Sequence, residues 1–431
     1  MESNSLVIRG GNVIVEDAIL PNHDIVIERG VITRIAPTLA NARSIEPSDA
    51  PSAGDPGMAL DYATGFPLVD ARGAYVTPGM VDIHSDYIES VASPRPSVVM
   101  SLPTSLYKVD RELVAHGVTT IYHSLSVFGG DEFGHKPIRS FENVSRLVDV
   151  VASMREGEEH DHLIRHRLHL RVELDAVERF DEIRSYIESG KVDLMSFMDH
   201  TPGQGQYRDL AIYNDTLKGY REGMTDEEVA EVVAQRQNAR KLGYDQLKTL
   251  SDIAHDKGIS IASHDDDAIE KLDAMEAFGI AISEFPIELP VALEAKSRGL
   301  HTLAGAPNVM LGHSHSGNLS AREGVREGAI DLLCSDYYPA ALIDAVFTLH
   351  RAGMDLSSAF ALVTVNPARA VGIDHALGSI AVGKRADILL VREIGCGPDA
   401  EITTPVITRA FVGGNSVYRS HYPDQPRGYA R

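Results

Sequence analysis

The sequence predicts an α/β chain: a (β/α)8 barrel of the TIM type, with a small β-sandwich-like domain formed by both chain ends. Three observations predict it. From Val81 onward, about eight short apolar strands alternate with helical stretches. Before that point and after residue 376 the chain reads as strands with Gly turns. Several barrel strands end in His or carboxylate residues, the position at which barrels carry their active sites. The expected division is 1–78 for the first part of the β domain, 79–375 for the barrel and 376–431 for the second part.

In chain order, residues 5–35 read as short strands with turn signals at Gly10-Gly11-Asn12, Pro21-Asn22 and Arg29-Gly30. Residues 37–67 are rich in Ala, Pro, Ser, Asp and Gly and read as a long surface loop. Leu68–Val76 returns to strand character. The strand around Val81 and Ile83 follows Pro78-Gly79 and alternates with Asp82 and His84. A helix over Thr104–His116 leads to the β-branched run Val118–Leu125. Helices near 141–155 and 176–189 lead to strands Arg167–Leu174 and Val192–His200. Thr225-Asp-Glu-Glu228 is a capping box that opens a helical region running to about Lys257. Strands follow at Ile259–His264, Ala281–Pro286, Leu300–Gly305 and Ile330–Asp336, and two helices near 340–372 close the barrel.

Composition bounds the function. The chain has 431 residues, 43% of them hydrophobic, and a formal charge of −22. That charge argues against a general nucleic-acid or anionic-membrane surface. No run of about 18 apolar residues is present, and the N-terminus lacks a signal-peptide pattern. The only cysteines are Cys334 and Cys396, sparse usage that fits a reducing cytoplasm. The expectation is a cytoplasmic protein.

The chemistry gathers at strand ends. His84 and Asp86 lie two apart, so both side chains can face one way, and an imidazole beside a carboxylate suits a divalent cation. In Arg167–Leu174, His169, Arg171 and Glu173 share one face, and polar groups facing a barrel interior are costly unless paired or metal-bound. Asp199-His200, the run His264–Asp267, and Ser335-Asp336 each follow an apolar strand. Any one of them alone reads more readily as a capping carboxylate or a satisfied histidine. Together they predict one or two divalent ions held by His84, Asp86, Glu173, His200 and His264. Zinc is the first choice, with manganese, magnesium or iron as alternatives. Bound cations lower the pKa of water, and Asp336 is placed to take or relay its proton. The site reads as hydrolytic.

The chain resembles the amidohydrolase superfamily. The shared words are Val76-Thr-Pro-Gly-Met-Val-Asp-Ile-His84, Asn366-Pro-Ala-Arg369 and Gly383-Lys-Arg-Ala-Asp-Ile388. Within it, the chain is similar nearly end to end to the branch of diphosphatases of phosphonate breakdown. Here the matching words include His84-Ser-Asp86, Pro94-Arg-Pro96, Arg167-Leu-His-Leu-Arg171 with Glu173, Met198-Asp-His-Thr-Pro-Gly-Gln204, Glu284-Phe-Pro286 and Ser314-His-Ser-Gly-Asn318. The resemblance implies hydrolysis of alpha-D-ribose 1-methylphosphonate 5-triphosphate to the 5-phosphate and pyrophosphate. The chain departs from that branch at 97–100, where no Trp follows, at 128–136, and at His313.

A triphosphate needs cations and hydrogen-bond donors. Arg95, Arg171 and Arg208 are the expected cations, and Ser314, His315, Ser316 and Asn318 the donor-rich loop after the seventh strand. The expected partner is a small phosphorylated sugar, with no nucleic acid and no membrane, and the chain is expected to form a homo-oligomer. The rival readings are a C–N hydrolase or deaminase on the same metal site, and a catalytically silent scaffold. The intact set of ligand-type residues speaks against the scaffold.

Overall fold

The computed structural model describes residues 4–39, 44–45, 59–95, 97–130, 136–156, 162–220, 223–314, 318–396 and 402–422. Its larger sheet has eight strands, numbered here along the chain: β1 (Met80–Ser85), β2 (Val118–Val127), β3 (Arg165–Glu173), β4 (Leu194–Met198), β5 (Ser260–His264), β6 (Ile282–Glu284), β7 (His301–Gly305) and β8 (Leu332–Cys334). Neighbours in sequence are neighbours in the sheet from β1 to β8. The registered pairs from β3 to β8 are all parallel. A parallel bridge from Ser85 to Asp336 joins the two ends, and so closes the barrel. The expected strand count and order therefore hold.

The sequence makes these strands in two ways. All ten residues of β2 are buried, the sign of a strand covered on both faces, and they include the polar Thr119, Thr120, His123, Ser124 and Ser126. In β3 the alternation is polar inward: His169 bonds Ser124 and Ser196 of the neighbouring strands, while Leu168, Leu170 and Val172 are fully buried. Helices Leu102–Ala115, Phe141–Glu156, Phe180–Glu188, Tyr244–Asp256, Ile269–Glu276 and Leu289–Ser297 supply the crossovers. The capping box at Thr225 forms as expected: its hydroxyl accepts from the Glu228 N–H, and its N–H donates to the Glu228 carboxylate at 2.8 Å. The helical region it opens is two helices rather than one, Asp226–Gln237 and Tyr244–Asp256, because Gly243 caps a new start. Between β4 and β5 this insertion has its own small core of Tyr207, Tyr213, Leu217 and Val229. After β8 three helices follow instead of two: Ala341–Arg351, Leu356–Ala361 and Val365–Ala370.

The second sheet draws on both chain ends, as expected. Tyr75–Pro78 is central to its pairing: it lies parallel to Leu6–Ile14 on one side and antiparallel to Ile388–Cys396 on the other. Ile8, Ile25, Ile27, Val76, Ile388 and Phe411 share one core cluster. By contacts, this unit comprises Met1–Val81, Arg111–Thr120 and Val346–Arg431, so it takes in segments expected within the barrel division. Of residues 37–67, the described part includes the short pair Ser44–Ile45 with Leu60–Asp61, and most of the rest lies outside the described residues. Among the described residues no helix is long and apolar enough to cross a membrane.

Two of the three expected early turns are bulges instead. Gly10-Gly11-Asn12 lies inside Leu6–Ile14, and Pro21-Asn22 inside Ile19–Glu28, where the pairing register shifts on either side of Gly11. Gly10 (φ +73°) and Asn22 (φ +53°) take the left-handed conformation, and the Gly10 N–H is held by Asp24 Oδ1 at 2.9 Å. A glycine pair thus signals a bulge as readily as a hairpin. Arg29-Gly30 is the true hairpin turn, with both residues at positive φ, the type I′ pattern. A Cβ on Gly30 would stand 2.5 Å from the Gly413 carbonyl oxygen. Gly30→Ala should therefore lower stability by about 1–3 kcal/mol, read as the denaturant midpoint.

Candidate active site

A cavity of about 300 Å³ opens at the C-terminal ends of the barrel strands, where His84, Arg171, His200, His264 and Asp336 meet. Backbone geometry aims these groups. Asp265, Phe285 and Asp336 stand just past β5, β6 and β8, and each is left-handed, with φ of 55°, 54° and 56°. Each donates its N–H to the next strand around the barrel: Asp265 to Glu284 O at 2.8 Å, Phe285 to Leu303 O at 2.8 Å, and Asp336 to His84 O at 3.1 Å. Asp tolerates this conformation, but Phe does not adopt it freely. The strain is held by the surrounding ladder, a pattern that concentrates at working sites.

Two groups of donor atoms lie at this cavity, and all of their residues but the fully buried Glu284 line it. His84, His264 and Glu284 form one; His200, His264 and Asp265 form the other. Glu284 is fully buried, with Oε1 3.3 Å from His84 Nδ1 and 3.7 Å from His169 Nε2. Burial holds both histidines well below the ordinary imidazole range, so they are neutral and leave the carboxylate uncompensated. Its Oε2 has no hydrogen-bond partner, while Asp265 Oδ2 and His264 Nδ1 lie 3.1 Å apart. Buried charge without a partner is costly, and imidazole with carboxylate is the donor set of a divalent cation. These residues fit a metal ion. The groups share His264.

The remaining expected ligands sit differently. Glu173 stands behind His200: one oxygen accepts from the His200 N–H at 2.7 Å, and the other lies 2.9 Å from His200 Nδ1. It belongs to neither donor group, and it fixes the ring so that Nε2 faces Asp265 at 3.6 Å. Asp86 lines the cavity and begins helix Tyr87–Ala92, with Oδ2 3.4 Å from Arg139 Nη2. It too lies outside both groups, and its pKa is raised by burial and by Glu89. Asp336 lines the cavity, and burial, reinforced by Asp86, pushes its pKa up to about 7.

Of the expected substrate contacts, Arg171, Ser314 and Asn318 line the cavity. Arg171 Nη2 lies 3.1 Å from His264 Nε2. Arg95 and Arg208 do not line it: both are exposed, and Arg208 is paired with Glu288. His315 and Ser316 lie outside the described residues. Three site residues escaped the sequence reading. Glu284 ends a strand of only three residues, too short for a periodic signal. Asp265 was one of three consecutive aspartates with nothing to rank them. Arg139 lies on the loop after β2, its Nε 2.7 Å from Glu89. The available signal was a His or Glu at the last position of successive barrel strands.

Beneath the donor atoms runs a belt of small polar groups. Ser335 Oγ donates to Ser85 Oγ at 2.8 Å, the Ser85 N–H donates to Ser124 Oγ at 3.1 Å, and Ser124 Oγ meets His169 Nδ1 at 3.2 Å. His169 Nε2 then meets Ser196 Oγ at 2.9 Å. Five strands are thus tied at one level. Above it, Phe285 covers His84 and His264, with ring centres 4.9 and 5.2 Å away.

Comparison with known proteins bears on the family and the fold. The amidohydrolase family model matches residues 206–417. The chain is 30% identical over 329 residues to the alpha-D-ribose 1-methylphosphonate 5-triphosphate diphosphatase of Escherichia coli (strain K12), covering 75% of this chain and 84% of that protein. Among solved structures it is similar to the ochratoxinase of A. niger, at 14% identity and a TM-score of 0.61 over 97% of this chain and 96% of that one. It is also similar to the beta-aspartyl dipeptidase of Fervidobacterium islandicum AW-1, at 15% identity and a TM-score of 0.57 over 99% of this chain and 100% of that one. At such identities the two structures speak to the fold alone. With the diphosphatase likeness spanning three quarters of its length, the chain belongs to the amidohydrolase superfamily and is a metal-dependent hydrolase.

Proposed function

We propose that this hydrolase cleaves a phosphoanhydride in a phosphorylated sugar: alpha-D-ribose 1-methylphosphonate 5-triphosphate, to the 5-phosphate and pyrophosphate. The observation that carries the reading is the 30% identity to a diphosphatase of that substrate. Two guanidinium groups on the cavity wall, Arg139 and Arg171, support it, because a polyphosphate needs cations that an uncharged amide does not. Cleavage of a C–N bond rests on the fold alone and enters as an arm of the assay.

His84, His264 and Glu284, with His200 and Asp265 beside them, would hold the cation. When bound, such an ion acts as a Lewis acid and makes water a competent nucleophile at neutral pH. Arg171 and Arg139 would neutralise and orient the phosphate chain. Asp336 would accept the proton of the water whose oxygen attacks the phosphorus next to the sugar. The bond from that phosphorus to the bridging oxygen breaks, and pyrophosphate leaves with the electron pair. Glu173 would keep His200 in one orientation, and Phe285 would screen His84 and His264 from bulk water.

The direct test is pyrophosphate release from the ribose triphosphate, with and without added divalent metal, beside ATP and a panel of cyclic amides. Metal-dependent release from the ribose compound is expected; amide opening without pyrophosphate release would reject the reading. Asp336→Asn should keep its metal within twofold yet lose about 100-fold or more in turnover, measured by pyrophosphate release and elemental analysis. Glu173→Gln should weaken metal affinity by about 10- to 100-fold, read by competition with a chelating dye, while its circular dichroism stays that of the parent.

A further inference from the structure

The three aspartates that follow β5 have three different tasks. Asp265 lines the cavity and shares a donor group with His200 and His264. Asp266 is fully buried and ties β5 to β6, accepting from Ser263 Oγ and Ser283 Oγ at 2.5 Å each. Asp267 accepts the Gly205 N–H at 2.8 Å. The first of the three carries the strained backbone, with φ of 55°.

That backbone needs a partner on its carbonyl side. The Asp265 N–H is taken by Glu284 O, while His264 O and Asp265 O turn toward one point. Two carbonyl dipoles that converge repel each other unless a donor or a cation stands between them. Lys271 Nζ stands there, donating to His264 O at 2.6 Å and to Asp265 O at 3.0 Å. Its approach to the carboxylate of Asp266 is longer, 3.7 Å from Oδ1. Lys271 is the third residue of helix Ile269–Glu276, where the positive end of the helix dipole disfavours a cation. Local helix energetics therefore do not account for an ammonium at this position, and the two carbonyls do.

The contact reaches the cavity through one residue. Without the ammonium, the repulsion between the carbonyls is relieved when Asp265 leaves the left-handed conformation. The same rotation carries Asp265 Oδ2 away from His264 Nδ1 and His200 Nε2, which now stand 3.1 and 3.6 Å from it.

We infer that Lys271 is a positioning residue for the metal site: it does not touch the ion, and it holds Asp265 in the conformation that aims its carboxylate at the two histidines. The inference rests on the reading of Asp265 as a metal ligand and adds the group that sets its direction.

Zinc affinity of the full-length enzyme, measured by competition with a chelating dye, tests this in Lys271→Met, Lys271→Arg, Asp265→Asn and the double variant Lys271→Met with Asp265→Asn. The Lys271 side chain is 24% exposed, so both replacements find room. Lys271→Met should bind zinc at least tenfold more weakly than the parent. Lys271→Arg, which keeps donors for both carbonyls, should stay within threefold. The double variant should bind within threefold of Asp265→Asn alone, because Lys271 acts through Asp265. Parent-like affinity in Lys271→Met beside a loss in Asp265→Asn would overturn the inference and leave the ligand reading standing. Losses that multiply in the double variant would also overturn it, since Lys271 would then act elsewhere. So would equal losses in Lys271→Met and Lys271→Arg with the same fall in the denaturant midpoint of the metal-free enzyme, the mark of a purely structural residue. Parent-like affinity in Asp265→Asn would remove Asp265 from the ligands, and the inference falls with it.

Discussion

The seam between the last barrel strand and the first is the constraint on which the site depends. β8 is only three residues long, and the chain beyond it must turn back to β1. Asp336 makes that turn in the left-handed conformation, donating its N–H to the His84 carbonyl while its own carbonyl accepts from Asp86 at 3.0 Å. A single residue therefore closes the barrel and sets the separation between its own carboxylate and the His84–Asp86 strand end. Asp265 and Phe285 repeat the device at β5 and β6. The three strained residues are stable because neighbouring ladders over-determine them, so the geometry of the site is a by-product of barrel closure.

Inside that frame the electrostatics are left unfinished. Glu284, Asp265, His84 and His264 are nearly or fully buried, and Glu284 Oε2 is left without a hydrogen-bond partner. An unpaired buried charge costs on the order of several kcal/mol, more than belts of serine hydroxyls can return. A divalent cation would supply the missing charge. Glu173 and His169 do not need to touch it to matter: one fixes the His200 ring, and the other, held by Ser124 and Ser196, stands beside Glu284.

Much of this was legible in the sequence, for identifiable reasons. Short β-branched and apolar runs such as Val118–Leu125, alternating with helical stretches, indicated the number and order of the barrel strands. The inward polar face of β3 and the Thr225 capping box follow from local spacing alone. What spacing does not encode is the direction of a loop side chain. Arg208 and Arg95 resembled phosphate ligands yet face solvent, while Arg139, on a loop with no motif of its own, turns inward onto Glu89. Glu173 and Glu284 are both strand-end glutamates, and only the neighbouring strand decides which faces His200 and which faces His84. The early Gly10-Gly11 pair misled because a bulge and a hairpin ask the same conformational freedom of glycine.

A divalent cation held among the side chains at the ends of β1, β4, β5 and β6 is the feature on which the proposed chemistry turns. Anomalous diffraction from metal-loaded crystals, recorded on both sides of the metal's absorption edge, tests it most directly. A peak is predicted within coordination distance of His264 and of Glu284 or Asp265. A fully loaded crystal whose peak lies away from these side chains would contradict it.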